Sequence, residues 1–174
     1  SNSSRLGVKG AEDLGNGLAL LWQLEGKIDW DGGGEWGPNR NTFVALKGGW
    51  GQATAGYFDT PFKRIDRGSY DLFPERVGRA GNILRRGPGG SGWDERLGNA
   101  LKYTTPVLYG LKGEILYALG EEPATDRDGW SGALTWESGP FDAALGYERH
   151  KDGTQAQETE SAWRLAGGYD FGAF

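Results

Sequence analysis

Strict alternation of apolar and polar residues, repeated segment after segment, constrains this chain more than any other feature. From residue 18 to 30 the even positions are Leu18, Leu20, Trp22, Leu24, Gly26, Ile28 and Trp30, while the odd positions include Gln23, Glu25, Lys27 and Asp29. A period of two places successive side chains on opposite faces of a β-strand, one apolar and one polar. Segments beginning at Trp130, Phe141 and Trp163 repeat the pattern. Two-faced strands of this length, joined alternately by tight and wide connections, are what a transmembrane β-barrel requires.

The pattern predicts nine strands, over residues 4–13, 18–30, 40–50, 52–60, 96–105, 111–120, 129–138, 141–150 and 161–171. Gly, Asn and Pro fill the short connections: Gly-Asn-Gly at 15–17, Gly51, Pro106 to Gly110, and Gly139-Pro140. Those residues supply the backbone conformations of tight turns. The other connections, 31–39, 61–95, 121–128 and 151–160, are longer and polar. Short turns at one end and long loops at the other suit a barrel whose rims face different compartments.

The apolar parity carries Leu6, Val8, Val44, Leu46, Trp50, Leu111, Ile115, Trp130, Leu134, Phe141, Leu145, Trp163 and Leu165, and no charged residue. The opposite parity carries Arg5, Lys9, Lys47, Lys112, Glu114, Glu137, Asp142, Glu148, Arg164 and Asp170. An Arg or Lys facing lipid at the membrane midplane costs about 2–4 kcal/mol, and the alternation avoids that cost throughout. A soluble sheet would also alternate. The aromatic residues decide between the two. Trp30, Tyr117, Trp130, Tyr147 and Trp163 fall near the long-loop ends, and Trp50, Tyr103, Trp136, Phe141, Tyr169 and Phe171 near the short-turn ends. Two aromatic levels match the interfacial girdles of a membrane barrel.

Composition narrows the function classes. Mean hydropathy is negative, and no run approaches the roughly 20 apolar residues of a transmembrane helix; half-polar strands escape that measure. There is no cysteine, hence no disulfide or thiolate metal site, and the single histidine, His150, sits at a rim, so no metal centre is expected. A net charge of −5 with both signs interspersed argues against nucleic-acid binding. Glu12 and Asp13 alternate faces, and no nucleophile–base pair stands out, so neither enzymatic chemistry nor a cofactor is expected.

Five collinear motifs are more specific. These are SRLGVKGAEDLGNGL (4–18), NRNTFVALKGGWG (39–51), RLGNALKYTTPVLYGLKG (96–113), SGPFDAALGYE (138–148) and WRLAGGYDFGAF (163–174). In this order they resemble the general diffusion porins of Gram-negative bacteria, of the trimeric β- and γ-proteobacterial type. The resemblance implies an all-β, antiparallel transmembrane barrel of sixteen strands in the outer membrane. This chain would supply about nine of them, as a single partial barrel domain over 1–174. The usual first strand and the C-terminal half of the barrel would lie outside the chain. The implied function is passive diffusion of ions and small hydrophilic solutes through a water-filled channel. Outer-membrane lipid and two further copies in a homotrimer are the implied partners. A complete small barrel acting as an adhesin or structural protein, and a soluble β-sheet binding module, are the competing readings.

The resemblance also implies a constriction: a long loop folded into the barrel, faced by a basic wall. Here the loop is 61–95, and connections of this length are usually functional or disordered. Arg5, Arg40 and Lys102 match the family's basic positions. Asp71 and Glu75 in YDLFPE are the candidate acids of the loop, and Arg64, Arg67, Arg76 and Arg79 its candidate bases. Residues 61–96 hold eight bases and five acids, a balance of +3 in a chain whose total is −5. A loop so charged, lining a channel, should favour anions.

Overall fold

The computed structural model describes residues 4–28, 37, 39–66, 92–93, 95–119, 129–151 and 159–172. Nine antiparallel strands form one sheet in chain order: β1 (Arg5–Gly15), β2 (Leu18–Lys27), β3 (Thr42–Gly48), β4 (Gly51–Asp59), β5 (Arg96–Thr104), β6 (Leu111–Ala118), β7 (Gly129–Ser138), β8 (Phe141–Lys151) and β9 (Thr159–Tyr169). One short helix, α1 (Pro61–Asp66), follows β4. Every strand lies within a predicted segment or extends it by one or two residues. The helix was not expected, because residues 61–95 read as loop throughout.

Tight turns form where Gly and Asn predicted them. Asn16 and Gly17 both take positive φ, 52° and 75°, the pair of values that a two-residue hairpin turn matched to strand twist requires. Tyr109 and Gly110 repeat it at 52° and 81° between Leu108 and Leu111.

Register aligns the two parities across the sheet. Arg164 pairs with Gly146, Gly146 with Ala133, Ala133 with Glu114, and Glu114 with Thr104. That row lies on the face against which α1 packs, the inner face. Gln23, Glu25, Lys47 and Glu137 share it by register and parity. Leu20, Trp22, Val44, Leu46, Leu134 and Leu165 lie on the outer face, as the alternation predicts. There Leu101 is 59% exposed, Ile115 51% and Leu134 49%. A continuous outer face of exposed large apolar residues has no place in water; it matches a lipid contact.

The aromatic levels are real contacts on that face. Tyr117 meets Trp130 at 4.5 Å between ring centroids, and Tyr147 meets Trp163 at 4.6 Å, toward the long-loop ends. At the opposite level Trp50 stacks on Tyr103 at 6.1 Å, and Phe141 meets Tyr169 at 4.9 Å. Between these belts the face is mainly aliphatic, with Trp22 in the middle of β2 lying over Gly10. Leu134→Arg, in the middle of β7, should therefore cost about 2–4 kcal/mol of barrel stability in lipid vesicles. Gln52→Arg, on the inner face, should stay within about 0.5 kcal/mol of wild type in the same urea titration.

The inner face differs from its uniformly polar expectation. Phe58, Leu97, Ala100, Leu116 and Ala118 form a buried apolar cluster there, with Phe43 packed against it. Alternation hides part of this cluster because β4 and β5 slip between Gly56 and Phe58, where Asn99 takes a φ of 47°. The extra residue is a bulge, and it changes which positions share a face. A second cluster joins Ile65 of α1 to Ala133, Ala144 and Ala166.

Candidate functional site

The inner face has two unlike sides. On β1 to β3 it carries long charged and polar side chains: Arg5, Lys9, Gln23, Glu25 and Lys47. On β7 to β9 most central positions are small, Ser131, Ala133, Ala144, Gly146, Ala162 and Ala166, set around Arg164 and Glu148. Helix α1 rests on the small side, against β6, β7, β8 and β9.

Helix α1 begins with two ordinary start signals. Thr60 caps it, its Oγ1 accepting the Lys63 N–H at 3.2 Å, and Pro61 stands at the first helical position. A cap of this kind contributes about 1 kcal/mol, and Pro is suited to that position because its missing N–H would have no helical partner. Phe62 and Ile65 then turn inward, 2% and 4% exposed. Trp93 packs on Phe62 with centroids 5.9 Å apart.

Among the described residues, three carboxylates, Glu25, Glu114 and Asp59, each take two bases. Glu25 Oε1 pairs with Arg40 Nε at 2.5 Å and with Arg5 at 3.7 Å, while its Oε2 accepts from Gln23 at 3.0 Å. Glu114 Oε1 pairs with Arg64 at 3.2 Å and with Lys102 at 3.6 Å, and also accepts from Thr104 Oγ1. Asp59 pairs with Lys63 at 2.7 Å and with Arg96 at 3.2 Å, and Asn41 bridges Asp59 and Arg96. Each of the first two groups sums to +1 over its three side chains.

The predicted wall bases therefore sit in two places. Arg5 and Arg40 come together on Glu25, with the Arg5 side chain 59% exposed and able to reach solvent. Lys102 lies apart from them and buried, 5.1 Å from the Phe58 ring centroid, beside Arg64 of α1. Arg64 is the candidate loop base that the structure places; its side chain is half exposed. Arg67, Asp71, Glu75, Arg76 and Arg79 lie outside the described residues.

Lys63 and Arg96 count among the eight bases of 61–96, but Asp59 and their pairing with it escaped the sequence reading, because all three lie at strand or helix ends, where alternation gives no face. Phe62 and Ile65 did carry a signal: two apolar residues three apart, just after Thr-Pro. No group of three or more His, Cys, Asp or Glu side chains stands together among the described residues. What the arrangement offers is an inner face with a charged wall on β1 to β3 and a loop segment anchored on β6 to β9.

An antiparallel sheet with an exposed apolar outer face, aromatic belts and a charged inner face narrows the possibilities to membrane barrels. The Gram-negative porin family matches residues 1–174, the entire chain. The chain belongs to that family. This porin chain is 30% identical to the major outer membrane protein P.IB of Neisseria gonorrhoeae, over 96% of its length and 51% of that protein. It is 31% identical to the P.IB protein of Neisseria meningitidis serogroup A, over 96% and 50%. Among solved structures it superposes on an anion-selective porin from Comamonas acidovorans with a TM-score of 0.85 at 30% identity, covering 98% of this chain and 54% of that one. OmpT of Vibrio cholerae shares the fold, with a TM-score of 0.70 at 18% identity over 97% and 52%. The porin chain spans about half the length of the curated relatives it matches. Its fold is that of the outer-membrane β-barrel porins, a family of channels rather than enzymes.

Proposed function

We propose that this chain forms one side of a water-filled outer-membrane channel through which ions and small hydrophilic solutes diffuse passively, with a preference for anions. The observation that carries the reading is the seating of α1 on the same inner face that carries Arg5 and Arg40 on the single carboxylate Glu25. Residues 61–95 act as the constriction loop, and α1 is its anchored start. Arg5 and Arg40 form the open part of the basic wall, and Arg64 with Lys102 forms the part nearest the loop. Asp71 and Glu75 supply the loop's acidic groups, and Arg67, Arg76 and Arg79 its further bases.

No covalent chemistry is involved. Selection comes from the field of fixed charges lining a narrow passage. Two bases sharing one carboxylate leave a net positive charge while holding the side chains in place. A relative in structure bears the description "anion-selective", which agrees with that sign. The complete barrel works as a homotrimer, its outer face against lipid.

The complete gene product, refolded and reconstituted in a planar bilayer under a KCl gradient, should give steady channels whose reversal potential lies on the chloride side. A reversal potential on the potassium side would overturn the preference. Folded trimers that carry no current would overturn the channel itself.

A further inference from the structure

The seat of α1 is more specific than a contact between a loop and a wall. Gly146 of β8 lies directly beneath it: a Cβ there would fall 2.6 Å from Ile65 Cδ1 and 3.2 Å from Phe62 Cδ2. Ile65 thus occupies the volume that a side chain at 146 would need. The register partner of Gly146 on β9 is Arg164. Its guanidinium donates to the Phe62 carbonyl at 2.9 Å and lies 4.1 Å from the centroid of the Phe62 ring. From β7, Ser131 Oγ accepts the Phe62 N–H at 3.1 Å. Both backbone polar groups of Phe62 are held by wall side chains, and its ring is covered by a cation.

Helix α1 has six residues, and isolated helices shorter than roughly 12–15 residues are marginal in water. Its place must come from the seat. A planar guanidinium donates to the carbonyl and lies flat over the ring with its donors in a fixed fork; a lysine ammonium is a point charge on a flexible stem and would hold that arrangement less firmly. Arg164 is 9% exposed, so it has little contact with passing ions.

We propose that Arg164 is the positioning residue of the constriction. With Gly146 it fixes α1, and through α1 the start of the 61–95 loop, and so sets the width of the passage without touching the solute. The proposal rests on the channel reading above, and its test separates the two.

Three variants of the complete gene product address it: Arg164→Lys, Arg164→Gln and Ile65→Ala. The last lies on the loop helix, outside the strands; retained heat-resistant mobility on a gel checks folding for all three. Each should give open-channel current several-fold noisier than wild type, with altered unitary conductance. Arg164→Lys should behave like Arg164→Gln, although it keeps the charge. If Arg164→Lys matches wild type and Arg164→Gln shifts only the reversal potential, Arg164 is a wall charge and the proposal falls. Trypsin provides a readout without current. Cleavage after Lys63 and Arg64, followed by mass, should be slow in wild type and several-fold faster in both Arg164 variants. Equal rates in all three proteins would overturn the seat. A wild-type protein that resists cleavage but carries no current would overturn the channel reading alone.

Discussion

Replacing Arg5 and Arg40 together by Glu should turn the chloride preference of the complete channel into a potassium preference. Both arginines share Glu25. The group of three side chains carries +1 in the wild type and −3 in the double variant. Glu25→Gln supplies the opposite sign: it raises the group to +2 and should strengthen chloride preference. Reversal potentials in a KCl gradient measure both effects. Screening gives a further check, because the Debye length falls from about 10 Å at 0.1 M salt to about 3 Å at 1 M. The inversion should be largest at low salt and shrink at high salt. A double variant with an unchanged reversal potential would place Arg5 and Arg40 outside the ion path.

The second large effect concerns closure. Refolded by itself, the 174-residue chain should give no steady, uniform channels. Strands β1 and β9 each have a single neighbour among the described residues, at the two ends of the sheet order. Their outward N–H and C=O groups would face lipid or water, and in lipid each unsatisfied group costs several kcal/mol. In water the same edges invite pairing with other chains. The expected outcome is aggregation, or irregular conductance of many sizes. The complete gene product, in the same bilayer, should give channels of one unitary size. Uniform channels from the 174 residues would mean that the sheet closes on itself or assembles with copies.

Much of this fold was legible because a β-barrel writes its geometry locally. Side chains alternate with a period of two, so Leu134 and Glu137 declare their faces without reference to any other strand. Asn16-Gly17 declares its turn through the positive φ values that both residues tolerate. The aromatic belts were legible for the same reason: a strand of known span places Trp130 and Trp136 at opposite membrane levels.

The candidate site was legible only in part. Arg5 and Arg40 could be assigned to the inner face, but not to each other. They are brought onto one carboxylate by the register of β1, β2 and β3, and register depends on hydrogen bonding between strands distant in sequence. Lys102 carried the same sequence signal as Arg5, yet its surroundings differ. The apolar cluster around Phe58 and the salt bridge to Glu114 bury it, whereas Arg5 stays open. Helix α1 was missed because six residues are too few to show helical periodicity, although Thr60, Pro61, Phe62 and Ile65 marked its start and its buried face.

The sequence by itself determined the strand count, the two faces, the turn positions and the membrane setting, since each depends on neighbours a few residues apart. The tertiary structure alone decided where α1 sits, which bases share Glu25, Glu114 and Asp59, and that Arg164 and Gly146 meet Phe62 and Ile65 from strands far along the chain. Those contacts arise only when β6 to β9 stand side by side. Their small side chains leave room for the loop helix, and no single strand carries that information.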